Sequence, residues 1–255
     1  MLVNFTVGNF LSFREKKTLS LEASAIKDAG SQVIEIGRLQ ILPSAALYGA
    51  NSSGKSNFLK ALGVFSGIVS YSSSTNSIGR LPVTPFLLDE KSETKPCFFE
   101  IEVITSDTTN YRYGFECTTS AVEREWLYRI GPRSEKCLFI RENDNIGITP
   151  AFPEGKGLEE RTRSNALFLS VCDAFNGIIA KEVVRSIVIP PIPDNPKERI
   201  SFQRELFKDT DKYLTEKANE IFQKLDMGFT SFEIPQSESE IREIKAWTKH
   251  NVYDE

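Results

Sequence analysis

The chain has 255 residues, enough for one large domain or two small ones and for a sizeable core. Apolar residues make up 40% and charged residues 26%, and a net charge of −4 gives no global pull toward nucleic acid or an anionic membrane, so any such contact needs a local patch. No apolar run approaches the ~20 residues of a membrane span, and Met1–Phe5 lacks a basic region leading into an apolar one, so a cytoplasmic chain without membrane contact is expected.

The alternation of Val3, Phe5 and Val7 predicts a strand over Leu2–Phe10, with a second over Thr18–Ala23 and a charged turn, Arg14–Lys17, between them. Ile41–Tyr48 is mostly apolar and reads as a buried strand running into a glycine loop. Phe58, Leu62, Phe65 and Val69 then recur on one helical face, which predicts a helix over Ser56–Ser70, followed by a Ser/Asn-rich loop over Ser70–Arg80. Phe98–Thr105, Tyr111–Cys117, Glu123–Ile130 and Cys137–Arg141 read as short strands separated by turn residues, including Asn143–Asn145, and their spacing suggests an antiparallel meander. After about Gly157 the pattern turns helical, over Ser164–Phe175, Ile178–Ile187 and Thr210–Leu225, with prolines breaking it across Pro190–Pro196. Phe229–Ile234 and Ile241–Trp247 read as strands.

The motif that carries chemistry is Gly49-Ala50-Asn51-Ser52-Ser53-Gly54-Lys55-Ser56, which fits G-x-x-x-x-G-K-[ST] at every fixed position. Average composition gives that pattern by chance about once in a hundred chains of this length. Its glycines let backbone N–H groups approach phosphate oxygens without a Cβ in the way, and the helix that follows adds partial positive charge at the same place. Lys55 suits the β- and γ-phosphates, and the Ser56 hydroxyl suits Mg²⁺. The expected binding residues are Gly49, Ala50, Asn51, Ser52, Ser53, Gly54, Lys55, Ser56 and Asn57, and the expected ligand is a nucleoside triphosphate, ATP, with Mg²⁺. A plain Gly/Ser turn capping a helix is the competing reading.

No catalytic residue is assigned. Asp89, ending Phe86-Leu87-Leu88-Asp89-Glu90, imitates the acid that completes such a site, but Pro85 precedes a run of only three apolar residues. Val252-Tyr253-Asp254-Glu255 is a weaker imitation. His250 reads as a surface or strand residue, Ser70–Ser74 as a solvated loop, and Arg161 and Arg163 as weak candidates for a kinase lid. Cys97, Cys117, Cys137 and Cys172 form no C-x-x-C pair, which speaks for reduced, mostly buried thiols rather than zinc ligands.

Asn9-Phe10-Leu11-Ser12-Phe13, the loop Gly49–Ser56 and the tail Asn57-Phe58-Leu59-Lys60-Ala61 together resemble the start of ABC-type ATPase heads of the SMC and RecF kind. Pro85–Asp89, Phe98–Ile101, Tyr111–Phe115 and Glu125–Leu127 are similar to AAA-type ATP-binding proteins of phage-defence and abortive-infection loci, relatives of the OLD family. The resemblance implies an α/β P-loop NTPase fold, an ABC/SMC-like head lobe with an antiparallel β-rich subdomain followed by a helical one. It sets an ATP-binding lobe over 1–157, a helical subdomain over 158–228 and the start of a C-terminal lobe over 229–255. In that family the signature motif, the Walker B Asp-Glu and the switch histidine lie further along, so the expectation is an N-terminal lobe that binds ATP while hydrolysis stays open. The implied function is ATP-gated control of an effector, such as a nuclease, in phage defence or DNA repair. The implied partner is a second copy or a chain supplying the C-terminal lobe, with nucleic acid an open question. A nucleotide-independent scaffold and a self-contained P-loop NTPase using Asp89 are the alternatives.

Overall fold

The computed structural model describes residues 1–24, 33–51 and 53–187, and the backbone of 229–233 and 245–248. The chain divides into two compact units, Met1–Ile192 and Pro193–Glu255. The first holds β1 (Leu2–Gly8), β2 (Lys17–Ser20), β3 (Ile34–Ile36), β4 (Leu39–Ile41), α1 (Lys55–Tyr71) and the single turn α2 (Glu90–Glu93). It continues with β5 (Cys97–Ile104), β6 (Asn110–Cys117), β7 (Val122–Ile130), β8 (Glu135–Glu142), β9 (Asn145–Ile148), α3 (Phe168–Ala174) and α4 (Ile178–Ile187). In the second unit β10 (Phe229–Glu233) pairs antiparallel with β11 (Lys245–Thr248). The expected helix Thr210–Leu225 lies outside the described residues.

Seven strands form one sheet in the order β2-β1-β5-β6-β7-β8-β9, and every pairing in it is antiparallel. The meander expected from Phe98 onward is this run from β5 to β8. It extends one strand further, because Asn143, at φ 54°, turns the chain tightly enough for Asn145–Ile148 to pair back onto β8. Strands β3 and β4 form a separate small pair that the apolar pattern did not announce.

Period-two alternation sends Phe5, Val7, Phe99, Ile101, Tyr113 and Phe115 to one face, where α1 lies. Phe65 is the centre of that contact. Its ring stacks on Phe115 at 5.3 Å and meets Phe5 edge-on at 5.5 Å, an arrangement that adds specific ring geometry to the burial of apolar area. Phe58, Leu62 and Val69, the other members of the expected helical face, are buried with it. On the opposite face Lys16, Glu100, Arg112, Trp126 and Tyr128 line a shallow cleft of about 300 Å³. Trp126 can lie across the sheet there only because β6 offers Gly114, where a Cβ would sit 2.5 Å from the indole ring. The four cysteines are free: Cys97 and Cys117 face each other across β5 and β6, Cys172 is buried on α3, and Cys137 is half-buried.

Every pairing in the described sheet is antiparallel, with helices against one face, as expected of the β-rich subdomain. Two expectations are corrected. Strand structure ends at Ile41, and Pro43–Ala50 runs on as an exposed segment without regular structure rather than a buried strand. Pro43 has no N–H to donate, and no described strand lies beside the segment. Helix α3 covers only the second half of Ser164–Phe175, because Leu167 is extended (ψ 136°) and the carbonyls of Ser164 and Ala166 accept hydrogen bonds from Arg141 instead of closing a helical turn.

Candidate functional site

Gly49 and Ala50 are exposed, and the chain turns at Asn51. The Ser53 amide donates back to the Ala50 carbonyl at 3.3 Å, and Gly54, at φ 94°, takes the left-handed conformation that precedes the helix. Helix α1 starts at Lys55, one residue before the expected Ser56, and its first internal bond runs from the Phe58 amide to the Gly54 carbonyl at 3.0 Å. The helix gives no acceptor to the amides of Lys55, Ser56 and Asn57. No side chain caps this end, and no acidic residue lies in the first turn. Ser52 lies outside the described residues.

Lys55 folds back over the loop, its Nζ donating to the carbonyls of Gly49 and Ala50 at 2.7 Å each. Both acceptors are neutral and close in sequence, so the ammonium is parked over the loop rather than committed to a carboxylate there. The Ser56 hydroxyl stands exposed in the same turn. Gly54 is needed as a glycine, since at φ 94° a Cβ would also stand 3.0 Å from Ser12 Oγ, whereas a Cβ on Gly49 would meet only the exposed Ser53 hydroxyl, at 2.9 Å. An open helix N-terminus, a cation resting on neutral loop carbonyls and a left-handed glycine at the turn fit a bound phosphate chain.

The segment Asn9–Phe13 lies against this turn. It folds on itself through reciprocal backbone bonds between Phe10 and Phe13, at 2.8 and 2.9 Å, with Asn9 and Leu11 at φ 46° and 48°. Asn57 Nδ2 donates to Ser12 Oγ at 2.9 Å, and Phe13 meets Phe58 edge-on at 5.9 Å. Asn9 Nδ2 is shared among the carbonyls of Ser92, Lys95 and Pro96, while its Oδ1 accepts from the Phe86 amide at 3.2 Å. Sequence reading found this segment only through resemblance. Its contact with the loop joins residues 45 apart, which no local pattern announces.

The other candidates do structural work elsewhere. Asp89 precedes α2, accepts from the Ser92 hydroxyl at 2.7 Å and lies 3.5 Å from Arg14. Those partners hold its carboxyl below the usual range. Arg163 donates to the carbonyls of Ser73 and Thr75, and Arg161 ends a short 3-10 turn. Ser70–Ser74 is no solvated loop throughout: Ser70 is still helical, and the buried Ser72 hydroxyl donates to Ser170 Oγ at 3.2 Å. His250, Asp254 and Glu255 lie outside the described residues.

Helices α3 and α4 show what α1 lacks. Glu125, fully buried on β7, accepts from the amides of Phe168 at 2.7 Å and Leu169 at 3.0 Å and from the Tyr113 hydroxyl at 2.9 Å. Arg141 stands 3.8 Å away, equally buried. Burial pushes the Glu125 carboxyl up, and Arg141 and the two amides oppose that shift. Glu154 does the same for α4, accepting from the amides of Ile179 at 3.0 Å and Ala180 at 2.7 Å.

Among the described residues no helix is long and apolar enough to cross a membrane. No curated protein matches the chain. Residues 44–168 match the family model described as "AAA domain, putative AbiEii toxin, Type IV TA system", a stretch that takes in the glycine loop, α1 and strands β5 to β9. With the loop geometry above, that match supports an AAA-type P-loop ATPase domain over residues 44–168.

Proposed function

We propose that the Gly49–Ser56 loop binds ATP with Mg²⁺, and that the chain is one lobe of an ABC/SMC-like ATPase acting as an ATP-gated regulator of an effector in phage defence or DNA repair. The observation that carries the binding reading is the open N-terminus of α1 with Lys55 resting on neutral loop carbonyls. On binding, Lys55 exchanges those two carbonyls for β- and γ-phosphate oxygens, and the amides of the first turn face the same oxygens. The Ser56 hydroxyl is the side chain placed for the metal. Bound nucleotide supplies the phosphate charge that this end of the helix otherwise leaves uncompensated.

A partner completing the head, either a second copy or a chain carrying the C-terminal lobe, is supported by the segment before the loop. Leu47 and Tyr48 are apolar and exposed, Tyr48 at 92%, in a stretch whose composition is that of a buried strand. Such a stretch gains most from pairing with another strand and being covered.

Titration of a fluorescent ATP analogue with Mg²⁺ against the wild type and Lys55→Ala tests the binding reading. Losing one charge-assisted contact weakens affinity by about 30- to 150-fold, or about 2–3 kcal/mol. Equal affinities overturn the assignment.

A further inference from the structure

We propose that Ser12 is a positioning residue of the phosphate loop: its hydroxyl sets the first turn of α1, and with it the amides of Lys55 and Ser56, for a nucleotide. This rests on the reading of Gly49–Ser56 as the nucleotide site.

Three observations converge on that one oxygen. Asn57, in the first turn of α1, donates its Nδ2 to Ser12 Oγ at 2.9 Å. The same oxygen lies 3.0 Å from where a Cβ on Gly54 would stand, so it sits beside the residue whose left-handed turn starts the helix. Phe13, one residue on, meets Phe58 edge-on at 5.9 Å and lies 3.6 Å from that same Gly54 position. One short segment therefore grips the turn from the Gly54 side and from the Asn57 side.

The grip has value only if the segment is itself fixed, and it is. Its left-handed residues Asn9 and Leu11 are held by tertiary bonds, Leu11 through its amide to the Thr84 carbonyl at 2.9 Å. Asn9 is held by the three carbonyls and one amide of the 86–96 stretch. Phosphate binding at a helix N-terminus depends on amides aimed at fixed oxygen positions, and small displacements weaken several bonds together. Ser12 touches no phosphate in this account; it acts through Asn57 and Gly54.

The test measures affinity for a fluorescent ATP analogue with Mg²⁺ in the wild type, Ser12→Ala, Asn57→Ala, the double variant and Lys55→Ala. Melting midpoints without nucleotide check that each variant folds. Losing the single neutral hydrogen bond in S12A weakens affinity about 5-fold with the fold intact. In the N57A background the same change has no further effect, because both act through one contact. A purely structural Ser12 lowers the melting midpoint and leaves the affinity of the folded protein unchanged; that result, or additive losses in the double variant, overturns the proposal. If K55A loses affinity and S12A does not, the proposal for Ser12 fails and the P-loop reading stands. If the wild type binds no better than K55A, the P-loop reading fails and this one with it.

Discussion

Helix α3 begins against a buried carboxylate, with the amides of Phe168 and Leu169 donating to Glu125. Helix α1 begins against an exposed loop with no acid in its first turn and no capping side chain. Both ends carry the same partial positive charge and the same orphan amides. At α3 the fold answers that demand internally and permanently, and the gain appears as stability. At α1 the demand is left for something outside the chain, and the gain appears as binding. A helix end that a fold leaves open, beside a cation with only neutral partners, marks where stability has been exchanged for function.

The internal answer at α3 depends on a single carboxylate. Glu125→Ala leaves Arg141 buried without its carboxylate and strands two amides and the Tyr113 hydroxyl. The expected loss is about 3–5 kcal/mol of folding stability, read by urea denaturation. A loss below about 1 kcal/mol rules out the internal answer. Glu125→Gln adds a pH readout. Burial raises the folded carboxyl above its unfolded value, so the folded state holds this proton more tightly. The contribution is fully present below the unfolded value and declines as pH rises through the raised one. Stability curves across that window should lose this slope in the Gln variant.

At α1, Gly54→Ala places a Cβ at φ 94° and 3.0 Å from Ser12 Oγ. It should lower stability by about 1–2 kcal/mol and weaken ATP binding with it. A variant that binds ATP as the wild type does would show that the turn needs no glycine. Glu154→Ala removes the acceptor for two α4 amides and should cost about 1 kcal/mol, by the same denaturation measurement, with ATP affinity untouched. The smallest effect is expected of Asp89→Asn, whose partners are Ser92 and Arg14: no measurable shift of the denaturation midpoint and no change in Mg²⁺-dependent binding. Loss of that binding would return Asp89 to the site and favour a self-contained P-loop NTPase.

The two helix ends also differ in how far they can be read from the chain. The α1 end is local: an eight-residue motif, followed by Phe58, Leu62, Phe65 and Val69 on one face, and each of these is buried where the spacing puts it. The α3 end is not. Glu125 and Arg141 read as ordinary charged positions on strands, and their partners lie as far as 44 residues away. Arg141 also takes the carbonyls that a longer α3 would need, so periodicity over Ser164–Phe175 overstates the helix. Pro43–Tyr48 fails for a related reason. Composition records that a segment wants burial, not whether a neighbouring strand is there to provide it.

The thiols give the sheet a built-in clock. Burial pushes Cys97 up to about 12 and raises Cys117 across the strand pair and Cys172 on α3 as well, so none of the three offers a reactive thiolate while the fold is closed. Burial raises Cys137 too, but this thiol is only half-buried on β8 and therefore reacts first with an aromatic disulfide reagent. The remaining three then react only as fast as β5, β6 and α3 come away from the core. The lag between first and later thiols times the opening of the same layer that supports α1, residue by residue, without any label being added to the chain.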